Sequence, residues 1–189
     1  IHCVRGRLDR LVEVAQGMLR CGPVLDHLPG PSIVCLNGDD PPVAILGRYF
    51  KGKTIYFGIK ESTHLLRELP QSADSLNCPN CGHPLHYEQI YLGHQGKYFC
   101  HNCQFHRPDL DVTASKISLD GLQSVRFELH TPRGSVEIRL GVPGFDNVYN
   151  GLAAAAGGSA LGQSLSHIQS GLAEFKASVG GIEQSPAGA

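Results

Sequence analysis

The chain has 189 residues, 41% of them hydrophobic and 17% charged, with a formal net charge of −1 at pH 7. This composition favours a packed core over global disorder, and the near-zero charge gives no support for nucleic-acid binding. No apolar run approaches the ~20 residues of a membrane span, and polar residues interrupt the first apolar segment, which argues against a signal peptide. We therefore expect a cytoplasmic protein with no transmembrane segment and no nucleic-acid partner.

Hydrophobic periodicity predicts strands mixed with helices. The clearest strands are two alternating runs at 124–129 and 135–140, joined by a hairpin turn at Pro132-Arg133-Gly134. Such an order of elements is typical of an α/β sheet flanked by helices. The other predicted strands are 32–36, 54–58 and 115–119, and the predicted helices are 8–19, 42–46, 147–161 and 164–175.

Two Cys-x-x-Cys pairs lie in the segment 76–108: Cys78 with Cys81, and Cys100 with Cys103. Two residues between cysteines let both thiolates reach one ion from a tight turn, and the second pair completes a tetrahedron. A segment of about 35 residues buries too little core to fold alone, so bound metal is expected to supply stability. The sequence therefore predicts an inserted zinc ribbon, with a hairpin made of strands at 86–92 and 97–100 and a turn at 93–96.

The chemical rival is iron in a rubredoxin-like site, which also uses four thiolates but needs an electron-transfer role that nothing else here supports. With cysteine at all four positions, no coordination site remains for water, which indicates a structural metal. The segment's histidines are not expected to be ligands: His83, His86, His94, His101 and His106. The unpaired cysteines are expected to be small buried hydrophobic residues: Cys3, Cys21 and Cys35.

Residues 47–54 match the phosphate-loop pattern G-x-x-x-x-G-K-[ST]. That pattern binds phosphate only where a strand precedes it and a helix follows it. Here a predicted helix precedes it and a predicted strand follows it. Tyr49 and Phe50 also stand where the backbone must approach the phosphates closely. We interpret the match as a basic surface turn and do not expect the isolated chain to hydrolyse ATP.

Four segments together resemble the central domain of Mur ligases of the MurT kind. Residues 36–41 are similar to the Asn-x-Asp-Asp-Pro turn of Mur ligases, and residues 147–155 are similar to their Asn-x-x-Asn-x-x-Ala-Ala helix start. Residues 78–108 follow the ribbon that the MurT kind inserts into this domain. Residues 8–13 resemble a Leu-Asp-Arg-Tyr-Gly-Glu motif, so the resemblance runs from about residue 5 to residue 175.

The chain also departs from this pattern. The family usually has an acidic residue in place of Gly6, Tyr-Gly in place of Leu11-Val12, and glycine in place of Gln104. Its phosphate loop is expected upstream of Ile1, and its ligase domain, with the catalytic residues, is expected after residue 180. The resemblance thus implies a diverged or truncated central domain over 1–175, with a tail or linker at 176–189.

The resemblance implies a subunit that uses ATP and Mg²⁺ to amidate the D-glutamate α-carboxylate of lipid II through an acyl phosphate. Ammonia would come from a GatD-like glutamine amidotransferase partner. In this family pattern Asn147 contacts adenine, with Asn150 a weaker candidate, and Asp39 and Asp40 are candidate nucleotide contacts. The alternatives are a helix cap for Asn147 and turn caps for the two aspartates. Glu13 is either a metal contact or a solvated helix residue.

Two other functions remain open. The first is a stand-alone zinc-ribbon module that binds nucleic acid or protein. Few basic residues lie between 65 and 120, and the flanking α/β material would have no role in such a module. The second is another Mur-like ligase, such as a relative of folylpolyglutamate synthase, against which the ribbon argues.

Overall fold

The structure is a computed structural model that describes residues 32–60, Leu66 and residues 76–175. Several features predicted from the sequence lie outside these residues. They are the helix at 8–19, the motif with Glu13, the departures at Gly6, Leu11 and Val12, the cysteines Cys3 and Cys21, and the tail at 176–189.

One mixed five-stranded sheet forms the centre of the described fold. In spatial order, the first three strands pair parallel with one another, and the third, fourth and fifth strands pair antiparallel. All five strands were predicted: the structure shifts the first by one residue and lengthens the other four at one or both ends. Numbered along the chain, the sheet contains β1 (Ile33–Asn37), β2 (Lys53–Ile59), β5 (Val112–Asp120), β6 (Ser124–Thr131) and β7 (Gly134–Leu140), in that order.

The helices follow the prediction closely. The segment predicted as a helix at 42–46 forms a single α turn, α1 (Pro41–Ala44), followed by a 3-10 turn over Ile45–Arg48. The two longer helices are α2 (Asp146–Ala160) and α3 (Leu165–Ala173). Ser164 begins α3 as a cap, because its hydroxyl accepts a hydrogen bond from the His167 amide at 3.2 Å.

The main core lies between α2 and the sheet. Alternating residues of β6 and β7 point into it, and the small residues of α2 let the helix approach the strands. Val148, Leu152 and Ala155 of α2 are fully buried there, as are Leu129 and Ile138 of the sheet. The helix spacing of the apolar residues and the strand alternation therefore meet in one apolar layer.

The insertion forms a hairpin of β3 (His86–Leu92) and β4 (Gln95–Phe99). The predicted turn at 93–96 was two residues too long, because Gly93 and His94 alone make it and β4 begins at Gln95. The hairpin packs against the rest of the fold: Tyr91 belongs to the main core, and Tyr98 and Phe105 cluster with Ala44 and Ile45.

Candidate metal centre and nucleotide face

The four paired cysteines converge on one point. Their sulfur atoms all lie within 4.8 Å of one another. Cys78 Sγ is 3.6 Å from Cys103 Sγ, and Cys81 Sγ is 3.5 Å from Cys100 Sγ. Four sulfurs around a zinc ion at about 2.3 Å would be about 3.8 Å apart, so the donors fit a tetrahedral ion.

Two matching turns present these sulfurs. In the first, the Gly82 amide donates to the Cys78 carbonyl at 2.8 Å, and in the second the Gln104 amide donates to the Cys100 carbonyl at 3.0 Å. The residue after each Cys-x-x-Cys pair has a left-handed backbone, with φ of 76° at Gly82 and 60° at Gln104. The departure at Gln104 therefore places a side chain where the local geometry favours glycine.

Hydrogen bonds and burial act in opposite directions on the thiols. Burial raises the pKa of Cys78 to about 12, against the lowering effect of the Asn80 and Cys81 backbone amides. The Asn80 side chain is the main cause that lowers the pKa of Cys103 to about 6. Donors aimed at sulfur are the outer partners that orient thiolate ligands. A cation would favour the thiolate form of the buried thiols as well.

Within the described ranges, the four cysteines are the only group of three or more His, Cys, Asp or Glu side chains placed closely enough to share an ion. Four of the ribbon's five histidines are exposed, and His94 is partly buried with its Nε2 3.5 Å from Asp40 Oδ2. Cys35, predicted as a small buried residue, is half-buried and packs against the main core.

Asp39 is fully buried in the turn that follows β1. Its Oδ2 accepts hydrogen bonds from the Ile59 amide at 2.7 Å and the Tyr149 hydroxyl at 2.8 Å. Its Oδ1 lies 2.6 Å from Arg107 Nη2, a close ion pair whose angles fall outside hydrogen-bond geometry. Burial raises the pKa of Asp39 to about 6, although Arg107, the Ile59 amide and Tyr149 all act to lower it.

This geometry favours a structural role for Asp39 over a nucleotide contact. It also shows which group caps the turn, since the side chain of Asn37 accepts from the Asp39 amide at 3.0 Å. Asp40 begins α1 without a side-chain cap and is partly exposed. Nucleotide contacts by Asp39 and Asp40 stay predictions.

The first turn of α2 carries Asn147 and Asn150. Phe145 occupies the cap position and makes no side-chain cap bond, so Asn147 is not the helix cap. Asn147 Nδ2 donates to the Pro143 carbonyl at 2.6 Å, and Asn147 Oδ1 accepts from Asn150 Nδ2 at 3.0 Å. An amide offers two donors and two lone pairs, so these two bonds use half of the hydrogen-bonding capacity of this partly exposed side chain.

The carboxyl ends of β1 and β2 lie beside this helix start, because Asp39 and Ile59 both contact the network that reaches Tyr149. Ligands of open α/β sheets bind at such edges. The phosphate-loop match at 47–54, in contrast, runs from the 3-10 turn into β2, as the sequence predicted. Its flanks are therefore the reverse of those a phosphate loop requires.

Sequence reasoning gave Arg107 and Tyr149 no role, although both contact Asp39. Arg107 lies within the ribbon pattern at 78–108, and Tyr149 lies between the two asparagines of the helix-start pattern. A weak signal existed in each case, because Arg107 lies at the end of the inserted ribbon and Tyr149 is an aromatic residue near the start of a helix.

None of the helices within the described ranges has the length and apolar character needed to cross a bilayer.

No family model matches the chain. The chain is 27% identical over 181 residues to the lipid II isoglutaminyl synthase subunit MurT of Streptococcus pneumoniae. This alignment covers 93% of this chain and 38% of that protein. The chain is 29% identical over 182 residues to the same subunit of Staphylococcus aureus, covering 95% of this chain and 38% of that protein. The chain thus spans well under half the length of these relatives.

Among solved structures, the chain resembles a pseudomurein peptide ligase type C from Methanothermus fervidus, with a TM-score of 0.70 and 31% identity. The match covers 86% of this chain and 30% of that protein. The resemblance to MurT predicted from the sequence is confirmed over most of the chain, and the fold is that of Mur ligase domains.

Proposed function

We propose that this chain is the central part of an ATP-dependent ligase subunit that amidates lipid II in peptidoglycan biosynthesis, in the cytoplasm. The observation that carries the proposal is the similarity to MurT subunits over 93–95% of the chain, a span too long to leave out the ribbon. We further propose a central domain over 1–175, a ribbon insertion over 76–108, and a linker over 176–189 toward a domain that holds the catalytic residues.

The proposed reaction has two steps. The α-carboxylate of D-glutamate attacks the γ-phosphorus of ATP, which gives an acyl phosphate and releases ADP. Ammonia from a GatD-like glutaminase then attacks the acyl carbon, and inorganic phosphate leaves with the bonding electrons. Mg²⁺ is expected to neutralise charge on the transferred phosphoryl group.

In this proposal Asn147 holds the adenine edge of ATP. Its remaining N–H and lone pair can pair with adjacent acceptor and donor groups of a purine. Its position is fixed by the bonds to Pro143 and Asn150, so little ordering is needed on binding. Asn150 contributes mainly by orienting Asn147.

The ribbon is proposed to hold one structural zinc through its four cysteines. The tetrahedral spacing of the sulfurs and the donors aimed at them support that choice. When bound, zinc would stabilise the fold of the ribbon. The ribbon's largest buried rings contact the sheet domain, which supports a role inside the ligase over a stand-alone binding module.

The test is an ATP- and glutamine-dependent amidation assay on the complete gene product with its glutaminase subunit. Loss of one partly buried hydrogen bond costs about 0.5–1.5 kcal/mol, and a stranded partner raises this. Asn147→Ala should therefore raise KM for ATP roughly 3- to 30-fold with unchanged zinc content. Gln123→Ala removes an exposed amide at the β5–β6 turn and should leave KM unchanged.

If Asn147→Ala leaves the ATP dependence unchanged, the adenine assignment is wrong. If the unaltered pair does not amidate lipid II, the proposed reaction itself is wrong.

A further inference from the structure

The buried carboxylate of Asp39 links three parts of the chain that are far apart in sequence. Arg107 reaches it from the exit of the ribbon, Tyr149 from α2, and the Ile59 amide from the end of β2. Arg107 Nη2 also donates to the Ile59 carbonyl at 2.6 Å, so the same guanidinium contacts β2. One charged group therefore connects the ribbon, the sheet and the helix.

The surroundings of Asp39 are shaped for a carboxylate. A Cβ on Gly58 would lie 2.5 Å from Asp39 Oδ1, so only glycine leaves room for the side chain. The ribbon also holds the turn through its backbone. The Gly96 amide donates to the Asp39 carbonyl at 2.8 Å, and the Tyr98 hydroxyl donates to the Gly38 carbonyl at 3.1 Å.

The link reaches the start of α2, whose opposite face carries the predicted adenine contact. Tyr149 is buried, and it lies between Asn147 and Asn150 in the first turn of α2. Its hydroxyl bond to Asp39 fixes the rotation of that turn about the helix axis. Movement of Tyr149 would therefore displace both asparagines, which face outward from the same turn.

We propose that Asp39 is a positioning residue: held by Arg107 of the ribbon, it fixes Tyr149 and so orients Asn147 toward the nucleotide. This rests on the proposed function for its consequence, although the link itself is a property of the fold. Apolar replacement of a buried ion pair often leaves stability unchanged or increases it, so a charged network is not needed for packing alone. Its use here is to make the geometry of α2 depend on a docked ribbon.

The test uses Tyr149→Phe, which removes the hydroxyl and keeps the packed ring. Tyr56→Phe is the matched control, because it removes a tyrosine hydroxyl that donates to the Ala44 carbonyl at 3.1 Å, away from α2. Hydrogen exchange is measured on the full-length subunit over residues 144–150. Tyr149→Phe should accelerate exchange there roughly 3- to 10-fold, and Tyr56→Phe should not.

In the amidation assay, Tyr149→Phe should raise KM for ATP roughly 3- to 10-fold while kcat, KM for glutamine and zinc content stay unchanged. Arg107→Lys, which keeps the charge but loses the planar geometry, should have a smaller effect than Arg107→Met. Unchanged exchange over 144–150 in Tyr149→Phe would overturn the link whatever the protein's activity.

Unchanged KM for ATP in an active Tyr149→Phe enzyme would overturn its positioning role. Absence of amidation in the unaltered pair would instead count against the proposed function, and the exchange result would still decide the link.

Discussion

The sheet and the ribbon reach stability by different physical means. The sheet buries a continuous apolar layer against α2, with residues such as Phe127 and Leu152 almost completely enclosed. The ribbon buries only a few large side chains, and its sulfur cluster lies among them. The sheet therefore depends on packing, whereas the ribbon is expected to depend on its proposed metal and on its contacts with the sheet.

The ribbon is a dependent part of the domain because its contacts with the sheet are extensive. Tyr91 extends from the hairpin into the main core, and Arg107 pairs with Asp39 on the turn after β1. Loss of the metal should therefore disturb the turn as well as the ribbon. The antiparallel strands β6 and β7 lie at the edge of the sheet opposite β1 and should be disturbed least.

Removal of the metal should have the largest effect. We expect one zinc per chain in protein purified without added metal, and near zero in Cys81→Ser. Metal binding contributes on the order of 10 kcal/mol to small zinc domains, so amides over 86–99 should lose most of their exchange protection while those of β6 and β7 keep theirs. Cys35→Ser, at a half-buried cysteine outside the cluster, should retain the metal.

Mass spectrometry of the native protein and metal analysis check the stoichiometry. Iron in place of zinc, or full occupancy in Cys81→Ser, would contradict the assignment of the site.

A core substitution should act on the sheet and leave the metal in place. Leu129 of β6 is fully buried, so Leu129→Ala should lower the free energy of unfolding by about 2–5 kcal/mol. Leu122, in the turn between β5 and β6, is 91% exposed, and Leu122→Ala should change the free energy of unfolding by less than about 0.5 kcal/mol. Denaturant unfolding measures the free energy of unfolding of both variants, and metal analysis checks that each keeps its zinc. Equal losses of stability in the two variants would refute the packing assignment.

Local patterns were sufficient to predict much of this fold. The alternation in β6 and β7 and the two cysteine pairs depend on residues close together in the chain, and both predictions are confirmed as structure. The burial of Asp39 was not predicted, because its partners Arg107 and Tyr149 are 68 and 110 residues away. A polar turn after a strand looks the same in sequence whether solvent or a folded insertion covers it.

The candidate nucleotide face shows the same limit. The asparagines were found because they match a short pattern, but their contacts depend on Pro143 and on the turn that precedes α2. Helix-start residues commonly act as caps, and only the folded structure shows that Phe145 holds that position here.

Asp39, which lies where the ribbon contacts the sheet, should make the stability of the protein depend on pH. Its folded pKa, about 6, lies above the ordinary value of 3.8, so the folded state binds this proton more tightly. The resulting stability is present below pH 3.8 and is lost as the pH rises through 6. The stability of the wild type relative to Asp39→Asn, measured as the difference in their free energies of unfolding, should therefore decrease as the pH rises from 4 to 6. The expected decrease is on the order of 3 kcal/mol.

Unfolding curves of zinc-loaded protein at several pH values measure this difference. Asp109→Asn, at an exposed carboxylate, is the control and should follow the wild type. Parallel curves for the wild type and Asp39→Asn would mean that Asp39 has the same pKa in the folded and unfolded states.

The smallest effect is expected from exchanging the residues that follow the two cysteine pairs. Gln104 has a φ of 60° and gains one weak bond, from its Nε2 to the His101 carbonyl at 3.2 Å. A left-handed backbone costs an L-residue about 1–2 kcal/mol. In Gln104→Gly, the greater conformational entropy of glycine in the unfolded state offsets about half of the stability gained by removing that strain. Gln104→Gly should thus raise the free energy of unfolding by roughly 0.5–1 kcal/mol.

The reciprocal change tests whether the two turns are equivalent. A Cβ on Gly82 would meet no atom within 4 Å, so Gly82→Gln introduces backbone strain without a clash and should destabilise the ribbon by a similar amount. Zinc affinity measured by competition with a chelator should move with stability, tighter in Gln104→Gly and weaker in Gly82→Gln, because folding and metal binding are coupled in the ribbon. If Gln104→Gly weakens zinc binding, the bond from Gln104 to His101 contributes more than the strain removes, and the second turn owes its shape to that side chain.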